Sequence, residues 1–329
     1  MAVSMADISK ACGVSRQTVG YILNGRGDMF KPETRKTVWA TAEELGYRKN
    51  ATARAMRLGR HQCVGLLLGK ITQSYLPEEL LQELNLAAER RNYHISLTEL
   101  ATYNMSSLET APKHLKEVLV DGYLLDWTPK VPEKILELVA QTRLPYVCLN
   151  AKLASGCVFP DDLQGGRMVT EHLLKLGHQK ISFLSLKHSN GQHYSDQERL
   201  AGYKTAMSAA GLSPQVLIGP TGLTPRERIN VAYEFLTSSD RPDAVVAYSN
   251  PTAIALHIAG MHAGIGIPED LSVATVDNRP YTLTGLTFDT LNLPWHDVAE
   301  KGFEQVLRRS ENPEIKPTAE RVPYINLEK

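Results

Sequence analysis

Long apolar runs are missing from this sequence. Stretches such as Val64-Gly65-Leu66-Leu67-Leu68 fall far short of the ~20 residues a membrane span needs. The opening MAVSMADISKACGV has no basic segment leading into an apolar one, so no secretory signal is expected. Cysteine is scarce: Cys12, Cys63, Cys148 and Cys157 form no C-x-x-C pair and lie in apolar contexts. Reduced, buried thiols are therefore expected instead of a disulfide framework or a zinc site. Ten histidines yield no H-E-x-x-H, and no G-x-S-x-G elbow offers a nucleophile. His188 and His193 read as surface loop residues in a Ser/Asn/Gly-rich stretch. The segment Gly65 to Ile71 looks like a phosphate loop, but it lacks a spacer residue and the Ser/Thr that would hold magnesium; it reads as a strand and its turn. No catalytic constellation and no cofactor are expected. The prediction is a non-enzymatic, soluble, cytoplasmic protein, associated with the nucleoid for the reasons below.

Hydrophobic content of 43% and charged content of 22% suit a globular chain, and 329 residues suit a small unit plus a larger one. The zero net charge hides an asymmetry. Residues 1–60 hold 11 Lys+Arg against 5 Asp+Glu, and residues 61–329 hold 25 against 31. A basic head on an acidic body implies that the head meets a polyanion.

The head has helix-turn-helix patterning. Ile8, Ala11 and Cys12 recur at helical spacing, Gly13 supplies a turn, and Ser15 can cap a second helix with Val19, Ile22 and Leu23 inward. Arg16 and Gln17 then project outward, where Arg suits guanine and Gln suits adenine in the major groove, with Tyr21 one turn on. A third helix is signalled by Pro32, Glu33 and the stripe Val38, Ala42, Leu45, ending at Gly46. Next comes an Ala-rich, Arg-studded stretch from Arg48 to Arg60, helical by propensity yet too short to be stable alone. Ala53 permits close approach, Arg54 and Arg57 suit phosphates, and Met56 suits a wedge between base steps in the minor groove.

These residues resemble the lactose/galactose repressor (LacI/GalR) family of bacterial transcriptional regulators. Its D-[IV]-A-x-x-A-G-V-S-x-x-T-V-S-x-x-[LI]-N pattern appears as Asp7 to Asn24, and its P-E-T-R-x-x-V motif as Pro32 to Val38. Gly20 and Lys31 stand where the family usually has Ser, and Lys49 where it usually has Pro. The DNA-contacting set expected is Ser4, Ser15, Arg16, Gln17, Thr18, Tyr21, Asn24, Lys31, Thr34, Arg35, Asn50, Ala53, Arg54, Met56 and Arg57. The domains expected are a head over 1–49, a hinge helix over 50–60 and an effector-binding, dimerising body over 61–329.

Beyond Arg60, short apolar runs alternate with helical stripes, which argues for parallel α/β sheets. Strands are predicted at Val64–Leu68, His94–Leu97, Tyr123–Leu125, Tyr146–Leu149, Lys180–Leu186, Ala244–Tyr248 and Leu271–Val276. The resemblance extends through Glu171 to His178, Arg199 to Tyr203 and Ile267 to Val273. It implies a bilobal periplasmic-binding-protein-like body of two Rossmann-like parallel-sheet lobes, about 61–161 plus 291–319 and 162–290 plus 320–329. Residue by residue, it implies an effector-gripping Arg199, an acidic Asp277 after a strand and a stacking ring at Trp295. Asp126, Gly69, Gln164 and Ser249 complete the candidate pocket. Arg and Asp around a ring suit a polyhydroxylated ligand, and a purine also fits. Ser249-Asn250-Pro251 replaces a common Asn-Asp, and Ser249, Asn250, Asp161 and Asp162 have a plain alternative role in helix capping or strand termination. The partners expected are double-stranded operator DNA, a sugar-like or purine-like effector and a second copy of the chain. No coiled-coil tetramer is expected, since no terminal heptad segment is present.

Overall fold

The chain divides into two units, Met1–His61 and Gln62–Lys329. The computed structural model describes residues 3–49, 51–69, 76–100, 108–127, 130–186, 193–278, 286, 288–325 and 327–328. Asn50, Lys70, Ile71 and His188, all weighed above, lie outside the described residues.

In the first unit α1 (Met5–Cys12), α2 (Arg16–Leu23) and α3 (Pro32–Glu44) enclose a core of Ile8, Val19, Ile22, Leu23, Val38 and Ala42. Ser4 caps α1 in a reciprocal box: its hydroxyl accepts from the Asp7 N–H, and Asp7 Oδ2 accepts from the Ser4 N–H at 2.8 Å. Gly13 ends the helix at φ +69°, a backbone region costly for other residues, and this lets the chain turn into α2. The Ser15 hydroxyl caps α2 by accepting from Thr18 N–H at 3.0 Å. Pro32 opens α3, but Lys31 at its cap makes no side-chain bond to the first turn. α3 ends at Glu44, and Leu45, expected on the inward stripe, is its cap residue and is 37% exposed. A fourth helix, α4, runs Ala51–Leu58.

The second unit is built on two six-stranded sheets. Its elements are β1 (Cys63–Leu68), α5 (Glu78–Arg90), β2 (His94–Glu99), α6 (Lys113–Lys116), β3 (Tyr123–Asp126), α7 (Glu133–Gln141), β4 (Tyr146–Leu149), β5 (Cys157–Pro160), α8 (Asp162–Lys175), β6 (Ile181–Ser185), α9 (Tyr194–Ala209), β7 (Gln215–Ile218), α10 (Pro225–Thr237), β8 (Ala244–Ala247), α11 (Asn250–Ala263), β9 (Ser272–Asp277), β10 (Asp289–Asn292), α12 (Trp295–Glu311), β11 (Ala319–Val322) and β12 (Leu327–Glu328). The first sheet has the order β11-β5-β4-β3-β1-β2 and the second β12-β10-β9-β8-β6-β7. Every pairing is parallel except β10 with β12. Apolar clusters cover both faces of each sheet, which is why the central strands read as unbroken hydrophobic runs. Gly65 is a packing residue of β1, since a Cβ there would lie 2.6 Å from the Tyr123 ring.

The chain crosses between lobes three times: β5 to α8, β10 to α12, and β11 to β12. Two of the expected lobe edges are corrected by this. The edge at 290/291 cuts through β10, which belongs wholly to the second sheet. The edge at 319/320 cuts through β11, which pairs with β5 in the first. α8 and α9 pack closely because Gly166 and Gly202 face each other's helices: a Cβ on Gly166 would collide with the Arg199 carbonyl, and one on Gly202 with that of Leu163. The same crossing places Arg199 beneath the ends of the second sheet.

Candidate DNA-reading surface and effector cleft

On the head, Arg16 and Gln17 are exposed on the first turn of α2. Thr18 is half-buried, and its hydroxyl lies 2.9 Å from that of Ser15. Tyr21 leans on Phe30, with ring centroids 6.3 Å apart. The Asn24 amide donates back to the Gly20 carbonyl at 2.6 Å, closing the end of α2. Lys31 is exposed, Thr34 is half-buried, and Arg35 pairs with Asp28 at 3.2 Å. On α4, Met56 is 85% exposed and Arg54 half-buried; Ala53 and Arg57 are placed by the helix backbone alone.

In the body, the carboxyl ends of β1 and β3 in one lobe and of β8 and β9 in the other carry the candidates Gly69, Asp126, Ser249 and Asp277. Ligands of open parallel sheets bind beyond such ends, at the reversal of strand order. Arg199 is buried. Its Nε donates to Asp162 Oδ1 at 2.6 Å, and its Nη1 donates to the Val276 and Tyr248 carbonyls at 2.6 and 2.8 Å. Its guanidinium also lies over the Tyr248 ring, 5.1 Å from the centroid. Arg199 thus ties α8 and the ends of β8 and β9 together. Asp162 also accepts from Tyr324 Oη at 2.9 Å, and together the pair draws two crossover segments onto α9.

Asp277 has a different task. Its oxygens accept from the Asn250 N–H at 2.6 Å and the Asn278 N–H at 2.7 Å, so this carboxylate, and not the Ser249 hydroxyl, caps α11. Ser249 sits at the cap position with no side-chain cap bond, and Asn250 is the first residue of the helix, its amide donating to the Asn278 carbonyl at 3.2 Å. Burial pushes the Asp277 carboxyl up, and its two backbone donors and Arg199 pull it back. Trp295 is buried against Val298, Ala299 and the β3–β4 face of the first sheet, and its indole N–H donates to Asn278 Oδ1 of the other lobe. Gln164 exchanges both amide bonds with the Tyr324 backbone, at 2.8 and 3.4 Å, locking the third crossover. Asp161 caps α8, as the plain reading allowed. Gly69 donates its N–H to the Asp126 carbonyl at 3.3 Å.

Residues 4–50 match the domain described as bacterial regulatory proteins, lacI family, and residues 170–328 match the periplasmic binding protein-like domain. The chain thus joins a lacI-family head to a periplasmic-binding-protein-like body. Similar to it are the HTH-type transcriptional repressor PurR of Photobacterium profundum, 26% identical over 93% of this chain and 91% of that one, and the HTH-type transcriptional regulator RegA of Clostridium saccharobutylicum, 27% identical over 94% and 92%. Among solved structures, the Lac repressor dimer bound to operator and the anti-inducer ONPF matches with TM-score 0.74 at 19% identity, covering 100% of this chain and 98% of that one. A CelR–cellobiose complex matches with TM-score 0.66 at 22% identity, covering 99% and 98%. At these identities the structures establish the shared fold.

Within this periplasmic-binding-protein-like body, several cleft residues leave little trace in the sequence. His193, taken for a surface residue, is half-buried and caps α9. Its Nδ1 accepts from Ser195, leaving Nε2–H to donate to the Asn150 carbonyl of the other lobe at 2.8 Å. Burial lowers its pKa, which keeps the ring neutral for this arrangement. Tyr194 Oη donates to Asn150 Oδ1 at 3.3 Å, its ring meets Phe159 edge to face, and Lys152 pairs with Glu198 across the same gap. A capping box, His193 with Asp196, was the legible signal; a His at the cap position hid it.

Proposed function

We propose that this chain is a sequence-specific transcriptional regulator, a repressor acting as a homodimer on a pseudopalindromic operator under control of a small effector held between the lobes. Arg16 and Gln17 read the half-site, Met56 wedges the central minor groove, and a sugar-like or purine-like ligand biases the lobe arrangement. The observation that carries this reading is the pairing, in one chain, of a lacI-family head with exposed Arg16 and Gln17 on α2 and a two-lobed body with polar residues at its strand ends. A solute-binding receptor of the same bilobal build leaves the basic head without a task. An enzyme needs a catalytic constellation, and the similar proteins named above are transcriptional regulators instead. Among the described residues no helix is long and apolar enough to cross a membrane, in keeping with a cytoplasmic site of action.

The test is selection of bound duplexes from random DNA by the full-length protein at fixed, near-physiological salt. A pseudopalindrome with an easily kinked centre is expected. Arg16→Ala should relax one half-site position by about 1–3 kcal/mol. Uniform, salt-sensitive binding with no enrichment, with and without effector candidates, counts against the reading.

A further inference from the structure

The unmet atoms of the cleft are nearly all of one kind. Near the strand ends, the buried side-chain atoms without a hydrogen bond among the described residues are Asp126 Oδ1 and Oδ2, Asp162 Oδ2, Asn250 Oδ1 and Ser185 Oγ. Asp162 Oδ2 and Asn250 Oδ1 can only accept, and both Asp126 oxygens do so once its carboxyl is ionised. A ligand that completes such a set must bring donors.

Asp126 decides which donors. It is the last residue of β3, in register with Leu68 of β1 and Leu149 of β4. Strand alternation places it on the face of Leu124, where Trp295 and Val298 pack. It is 1% exposed, and among the described residues no cation stands beside it: burial alone pushes its carboxyl up to about 7, with no neighbouring charge moving it either way. The other cleft acids are answered, Asp277 by two backbone N–H groups and Asp162 by Arg199 and Tyr324. Arg199, with its charge already paired, offers an anionic ligand little.

We propose, building on the effector reading above, that the effector is a small polar molecule bearing a protonated amine, whose N–H donors are accepted by the Asp126 carboxylate. An anion places like charge against Asp126. A neutral polyol supplies donors but gives the buried carboxyl no counter-ion when it ionises. A protonated nitrogen supplies both.

The test is isothermal titration of the full-length protein with matched triplets: glucosamine, galactosamine and mannosamine, each with its parent hexose and its uronic acid, plus putrescine and agmatine as amines without a sugar frame. The expected result is an amine bound at least tenfold more tightly than its neutral parent, or a bare amine bound where the hexoses are not. That preference should collapse in Asp126→Asn, which keeps the shape and removes the charge. The wild-type comparison stands even if the variant misfolds. Binding by none of the amines, or equal binding of amine and parent, overturns the inference. In those cases binding of a hexose or uronic acid leaves the effector reading intact, and binding of nothing in the panel counts against both.

Discussion

Asp126 also makes a prediction that needs no ligand. Its carboxyl is held at about 7 in the folded protein against an ordinary 3.8. The folded state therefore keeps a proton that the unfolded chain releases as the pH rises past 4. Stability contributed by that retained proton is full below pH 4 and is lost as pH climbs to and beyond 7. A gap of about 3 units at about 1.36 kcal/mol each sets the loss at up to about 4 kcal/mol. His193 has the opposite sign: its pKa is lowered by burial, so its contribution grows as pH rises through 6.5. The quantity to measure is therefore a difference. Urea unfolding of wild type and Asp126→Asn at pH 5 and pH 8.5 cancels His193 and Asp277, and the variant should gain on the wild type by about 2–3 kcal/mol between the two pH values, the part of the loss that falls between pH 5 and 7. Parallel pH dependences would show that water or another neighbour answers the carboxyl, and would refute the claim that no described residue does.

Lys31→Ser supplies the missing cap of α3 and should stabilise the head by about 1 kcal/mol, seen as slower amide exchange at Thr34; unchanged exchange would mean the first turn already has a partner. Gly202→Ala forces α9 off α8 and should cost about 1–3 kcal/mol in urea unfolding, and a neutral result would contradict the packing described. His193→Ala removes one interlobe bond and one helix cap; faster exchange across residues 150–153 and 193–196 is expected, and protection equal to wild type would show that the lobes do not rely on this residue.

The central strands were readable because burial on both faces leaves an apolar run that periodicity detects, as in Val64–Leu68. The margin strands β7, β11 and β12 were not, and neither were the four-residue β5 and β10 beside two of them. Ala-Glu-Arg-Val at β11 buries Val322 but exposes Ala319 and Arg321, and Gln-Val-Leu-Ile at β7 exposes Val216 and Ile218, so edge strands lack the pattern. Arg199 and Asp277 were legible as polar residues near strand ends, but their partners were invisible. Asp162 lies 37 positions from Arg199, and Asn250 lies 27 from Asp277. A cap taken from a distant strand end leaves no local signature, so Ser249 looked like the cap of α11 when Asp277 holds that task. The head was more legible because Ser4, Gly13, Ser15 and Pro32 act on residues within a turn of themselves.

The three lobe crossings leave from one side of the body. β5 and β11 are neighbours at one margin of the first sheet, and β10 and β12 at one margin of the second. A rotation about those tethers has a lever arm of five strand spacings, about 24 Å at about 4.8 Å each, out to β2 in one lobe and β7 in the other. Each degree of rotation then moves the far margin by about 0.4 Å, while the neighbourhood of Asp162 and Tyr324 hardly shifts. Those far margins carry the exposed Leu97, Val216 and Ile218. A change too small to disturb the buried Arg199 network is thereby magnified at the surfaces where another molecule could register it.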